Sequence, residues 1–374
     1  MTAPRLAYAD PAADPAATAR RLGVTTEAIE LLVAAGTIDL HLDLDVGVRV
    51  VCWDPLRHHG AATRVSPLVG QTDFPRLREG GFTGVVYDVA TNPLRPAGNR
   101  LAATRRNLDR AAATVASRPH DLALCRSAAD YDRARRDGKL AVWLALQGGN
   151  AVSADPAALD GPIGALLHRI TLVHLTTSDL GGTSSPAGRD TGVTPAGREV
   201  VQRCNAAGIL VDLAHTGKKT FWGALEAHAA DVPPIVSHTG VEGVRPHWRN
   251  LDDDQVRAIA DRGGVVGVMY QSSFLAPVRW TCRRSAILDH LEHIHRVAGD
   301  GVAAIGTDYD GFIVPPADLP DPCAHPRLVQ DMLDRGWSTD RISGILAASY
   351  LRVVRAVRPG SAIASAAGAC GAPD

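Results

Sequence analysis

With 374 residues and 45% hydrophobic side chains, the chain can fill the core of one large barrel and does not require two domains. Its 39 Lys and Arg against 40 Asp and Glu leave no net field to attract nucleic acid or an anionic membrane surface, so a small-molecule partner is expected. No stretch approaches the ~20 apolar residues of a membrane span, and the Met-Thr-Ala-Pro-Arg start lacks the apolar segment of a secretion signal, so a cytoplasmic location is expected.

Residues 1–24, rich in Ala, Pro and Asp, read as a loose arm, and a short helix is expected from about Thr26 to Ala35, so that 1–36 precede the core. From Thr37 onward, short runs rich in Val, Ile and Leu alternate with longer helix-like stretches, the pattern of parallel strands joined by crossover helices. The runs are 37–43, 84–89, 140–147, 168–175, 208–215, 234–238, 264–270 and 303–308. Eight such units predict a (β/α)8 TIM-like barrel over 37–357 rather than a doubly wound sheet, and no G-x-G-x-x-G turn follows the first strand. Thr194-Pro195 supplies a cap and a first-turn proline for one crossover helix, which Gly208 ends. After the last run come a proline-rich loop at 315–326, two closing helices within 326–356, and an Ala- and Gly-rich segment, 358–374, expected to be a disordered tail. The six cysteines show no C-x-x-C spacing and read as reduced, structural thiols.

Barrel active sites gather at the C-terminal ends of the strands, and here those ends carry His41 and Asp43, Gln147, His174, His215, His238, Tyr270 and Asp308. His41 and Asp43 stand two apart, on one face of a strand, and can grip one cation. A single histidine on an apolar run is usually a packing residue, but four at strand ends favour a metal site. His58, His59, His290, His293 and His295 fall in a loop and a helix and read as surface or packing residues.

His41-Leu42-Asp43, the segment 194–215 (TPAGREVVQRCNAAGILVDLAH), Ser237-His238, Arg249-Asn250-Leu251-Asp252-Asp253 and Gly306-Thr307-Asp308-Tyr309-Asp310-Gly311 together resemble the motifs of the membrane (renal) dipeptidase family, in the same order. The likeness runs from about Thr26 to Val357. It implies an amidohydrolase-like metal-dependent barrel whose site holds two zinc ions sharing a carboxylate. By that resemblance His41 and Asp43 would bind the first zinc, and His215 and His238 the second. His174 matches the histidine that contacts the substrate carbonyl, and Arg249 the arginine that takes the substrate's terminal carboxylate. Asp308 matches the carboxylate that shuttles a proton to the leaving amine, and Tyr270 a tyrosine of the pocket wall. A homodimer is also compatible with the family.

The main departure is at the bridging glutamate, whose Glu-Gly-Gly-His motif here reads Gln147-Gly148-Gly149-Asn150. A neutral amide is a poor bridge between two dications, so one or two zinc ions are expected, with the second position weakened. Asp39 and Asp88 are candidates to replace the lost carboxylate. The segment 45–71, with Arg49, Trp53, Arg57, His58 and His59, has no evident family counterpart and points to a changed substrate pocket. The favoured expectation is a zinc-dependent hydrolase of dipeptides or small amino-acid conjugates. The alternatives are a biosynthetic isomerase, lyase or amide-forming enzyme with a reduced metal site, and a binding protein without catalysis.

Overall fold

All eight apolar runs become strands. In the computed structural model, which describes residues 4–92, 95–277 and 281–358, they are β1 (Thr37–Leu42), β2 (Phe82–Ala90), β4 (Leu140–Gln147), β5 (Leu167–Thr171), β6 (Leu210–Asp212), β7 (Ile235–Thr239), β8 (Val265–Val268) and β9 (Ala303–Ile305). A ninth, β3 (Leu122–Leu124), pairs only with β4 and lies outside the barrel order. The order β1-β2-β4-β5-β6-β7-β8-β9 is parallel throughout. Its ends meet: Leu42 bridges Tyr309, the Asp43 N–H donates to the Tyr309 carbonyl at 3.0 Å, and the Asp308 N–H donates to the His41 carbonyl at 3.1 Å. The chain is therefore a (β/α)8 barrel.

The strands are near-continuous apolar runs because helices cover them outside while side chains fill the barrel inside. Every residue of β4 is buried. The polar residues that interrupt the runs, Asp39, His41, Asp88, Arg169 and Asp212, are equally buried and bond to one another or to nearby backbone inside the barrel.

One part of the expected arm is helical. Pro15–Leu22 starts on Asp14, whose side chain accepts from the Ala17 N–H at 2.8 Å, and ends at Gly23 in the left-handed region. Ala19 and Leu22 of this helix pack with Ile29 of the next, Thr26–Ala35. The expected tail falls, but for Arg358, outside the described residues. No described helix is long and apolar enough to cross a membrane.

The opposite end of the barrel carries a stability prediction. His325 is buried beneath β1, with Nε2 3.1 Å from Thr37 Oγ1 and its ring 4.6 Å from that of Phe82. Burial pushes the imidazole down to about 3. It is neutral when folded, whereas the unfolded chain takes up a proton below ~6.5. Its contribution is thus complete above that pH and is lost as pH falls toward 3. His325→Gln is expected to flatten the fall of unfolding free energy between pH 6.5 and 4 by up to ~1.4 kcal/mol per pH unit. Urea unfolding at several pH values measures this, and equal slopes for the two chains contradict it.

Candidate metal centre

The barrel's C-terminal mouth collects the strand-end residues. His41, on β1, stacks on His238 of β7 with ring centroids 3.7 Å apart. His41 Nε2 lies 3.5 Å from both Asp43 Oδ2 and Asp308 Oδ1, and Gln147 Nε2 lies 3.1 Å from the same nitrogen. His215 and His238 face each other through their Nε2 atoms at 2.8 Å. His174 meets the edge of His215 at 4.7 Å between ring centroids. Of the residues singled out from the sequence, His41, Asp43, Gln147, His174, His215, His238 and Asp308 form one connected cluster.

The local backbone is built for this crowding. His215 and Asp308 both adopt left-handed conformations, with φ of 65° and 63°, which in non-glycine residues costs about 1–3 kcal/mol each and is concentrated at functional sites. Gly311 completes the turn after β9, where an added Cβ would lie 2.4 Å from Asp308 Oδ1 and 2.8 Å from Asp43 Oδ2. A side chain there would have to displace one of the two carboxylates.

Two polar atoms of the cluster's side chains lack a partner: Asp43 Oδ1 and Gln147 Oε1 are buried and unbonded. Unpaired buried donors and acceptors are costly, and a group of nitrogen and carboxylate oxygen atoms all within 4.8 Å, from His41, His238 and Asp308, suits a divalent cation. His41, Asp43, His215, His238 and Asp308 could therefore hold metal, with Gln147 able to lend one neutral oxygen.

The electrostatics suit a cation pocket with a buried guanidinium beside it. Burial alone would depress His41, but the Asp88 and Asp43 carboxylates push it up to about 10 when no metal is bound. Burial drives His215 and His238 well below the ordinary imidazole range, and the neighbouring Arg249 acts in the same direction. His174, only partly exposed, is lowered to about 3 by burial and then by the charges of His41 and Arg249. These three imidazoles are neutral and free to act as ligands or hydrogen-bond partners. Burial raises the Asp308 carboxyl well above its usual range, opposed by His41.

Arg249 follows β7, and its Nη2 donates to the His238 carbonyl at 2.7 Å. It is 3% exposed, its Nε has no partner, and among the described residues no ion pair joins it to a carboxylate. Burial lowers it to about 10, which leaves it charged. Tyr270, after β8, is fully buried with its hydroxyl unpaired, edge-on to Tyr309 at 5.5 Å.

The two proposed substitutes for the missing carboxylate are engaged elsewhere. Asp39 accepts from the Thr307 N–H at 2.8 Å and from the Thr307 hydroxyl at 2.5 Å. Asp88 pairs with Arg169 and approaches His41 from the far side, 3.0 Å from Nδ1. Residues of the 45–71 segment bond mainly among themselves and their neighbours. Trp53 stacks on His59 at 3.6 Å and donates to the Thr72 carbonyl, Arg49 pairs with Asp45, and His58 lies 2.9 Å from Glu79 Oε2. His290 and His293 are buried packing residues, against the Leu275 carbonyl and Asp253.

Sequence reasoning missed Arg169. It lies fully buried under the cluster and bonds both Asp88 and Asp212. The available signal was an arginine inside an otherwise apolar strand, which demands buried carboxylates nearby.

Comparison with known proteins agrees with this fold. The family model described as membrane dipeptidase, peptidase family M19, matches residues 25–366. A Klebsiella pneumoniae relative, described as an uncharacterized protein in the pqqA 5' region, is 32% identical over 248 residues, 63% of this chain and 89% of that protein. Among solved structures, the metallopeptidase described as dipeptidase AC superposes with a TM-score of 0.77 at 24% identity, covering 87% of this chain and 99% of that one. A Rhodobacter sphaeroides metallopeptidase, solved with a phosphinate mimic of the dipeptide L-Ala-D-Ala, gives 0.76 at 22% identity over 86% and 99% of the two chains. The arrangement of strands and the match over nearly the whole chain lead to one conclusion: this chain belongs to the membrane dipeptidase family, and its fold and enzyme class are those of a metal-dependent dipeptidase-like hydrolase.

Proposed function

We propose that the chain hydrolyses the amide bond of dipeptides or small amino-acid conjugates with a free carboxylate, using zinc held by His41, Asp43, His215 and His238, with Gln147 as a neutral oxygen donor. The observation that carries this reading is Arg249, a buried cation beside the histidine cluster that has no ion-pair partner among the described residues. A buried charge needs a counterion, and a substrate carboxylate supplies one in the planar geometry a guanidinium favours. The dipeptide mimic bound by the Rhodobacter sphaeroides protein supports a substrate of this size, including one with a D-residue at its C-terminal side.

A divalent cation at this site supplies Lewis-acid activation of the amide carbonyl and of water. The chain's own residues do the rest. Arg249 fixes the carboxylate end and so places the scissile carbonyl over the cluster. His174 offers a hydrogen bond to that carbonyl oxygen as charge builds there. Asp308 would take a proton at Oδ1 from the attacking water and pass it to the leaving amine.

Arg249→Met is expected to raise KM for dipeptides roughly ten- to hundredfold while changing kcat much less, because a charge-assisted bond of ~1.5–3 kcal/mol is lost mainly from binding. Dipeptides with an amidated C-terminus supply the comparison. Native enzyme that handles free and amidated dipeptides equally, and a variant with unchanged KM, would remove Arg249 from substrate binding.

A further inference from the structure

Beneath the proposed metal site lies a fully buried charged layer that none of the roles above uses. Arg169, on β5, pairs through Nη2 with Asp88 of β2 and through Nη1 with Asp212 of β6. Asp88 Oδ2 lies 3.0 Å from His41 Nδ1. Asp212 Oδ2 accepts from the Ser237 hydroxyl at 2.6 Å, and Ser237 Oγ lies 2.7 Å from His238 Nδ1. Asp212 is tied further by the Ser237 N–H at 2.9 Å and the Thr171 hydroxyl at 2.7 Å.

Hydrogen-bond accounting fixes which nitrogen carries hydrogen. The Ser237 hydroxyl has one hydrogen, and it goes to Asp212, so toward His238 its oxygen can only accept. His238 Nδ1 must then be the donor. At His41, both Asp88 Oδ2 and Arg169 Nη2 approach Nδ1, the latter at 3.1 Å. A lone pair on Nδ1 would confront the carboxylate at 3.0 Å, whereas an N–H there lets Asp88 accept from His41 and Arg169 together.

We infer that Asp88 and Asp212, joined by Arg169, are positioning residues that keep hydrogen on Nδ1 of His41 and His238 and turn both Nε2 lone pairs toward the cation. The inference rests on the metal reading proposed above. It places a negative charge under the His41 ring in a chain whose position 147 is uncharged, so that the anionic support missing on the metal side is supplied from the far side of the ligand. Carboxylate partners of this kind orient imidazole ligands and raise their basicity.

Zinc affinity, measured by competition with a chromophoric chelator on the full chain, tests it. Asp88→Asn and Ser237→Ala are each expected to weaken zinc binding roughly ten- to hundredfold, the usual cost of losing such a partner. Asp88→Asn keeps the shape and leaves Arg169 its bond to Asp212, and Ser237→Ala removes one small group. Both variants binding zinc within twofold of the native chain overturns the inference while the metal reading stands. No zinc uptake by the native chain overturns both. A measurement that needs no variant is the long-range 15N–1H spectrum of the metal-free native chain, expected to place the His238 proton on Nδ1; finding it on Nε2 overturns the inference.

Discussion

Gln147→Glu is expected to raise tightly held zinc to two ions per chain and to speed dipeptide hydrolysis by about a hundredfold, equivalent to ~2.7 kcal/mol of barrier. Gln147 closes β4 with its Oε1 buried and unbonded and its Nε2 3.1 Å from His41 Nε2, so the side chain already reaches the cluster and lacks only charge. Two dications repel through four products of unit charges, each worth ~4 kcal/mol at 4 Å and an effective dielectric of 20. A carboxylate between them offsets part of that repulsion; an amide oxygen offsets little. Nothing in the backbone must move, because glutamate and glutamine have the same shape. Metal content by mass spectrometry on protein purified without chelators, with hydrolysis assayed on both chains, reads the result. Two zinc ions and full turnover in the native chain would mean that the amide suffices. Metal gained without turnover would favour the alternative of another reaction class on this scaffold.

The strands and most of the cluster were legible in the sequence because both obey local rules. An apolar run bounded by turn residues gives a buried parallel strand, and a barrel's geometry sends its strand-end side chains to one mouth. Thus the runs 208–215 and 234–238, each ending in a histidine, pointed to His215 and His238. What stayed hidden was relational. Arg169 is 81 residues from Asp88 and 43 from Asp212, and only closure of the barrel brings the three together. The same closure turned Asp88 from a candidate ligand into a partner of His41's far nitrogen. The three-residue β3 escaped notice because it pairs on one side only and is too short to show a pattern. Pro15–Leu22 was masked by its composition, although Asp14, Pro15 and Gly23 carry the signals of a capped helix.

Asp308→Asn is expected to lower kcat by roughly a thousandfold at saturating zinc, within the 10²–10⁴ range that a positioned proton carrier contributes. Asparagine preserves size and an acceptor oxygen, so the turn ending at Gly311 and the approach to Asp43 survive, while the ability to take and release a proton at Oδ1 is gone. The discriminating measurement is zinc stoichiometry alongside kcat. Asp308 Oδ1 lies 3.5 Å from His41 Nε2 and belongs to the same donor group as His238, which makes it a candidate ligand as well. A large fall in kcat with zinc retained assigns it to proton transfer. Zinc lost in proportion to activity makes it a ligand instead. A kcat within tenfold of native, with zinc bound, would remove Asp308 from proton transfer to the leaving amine.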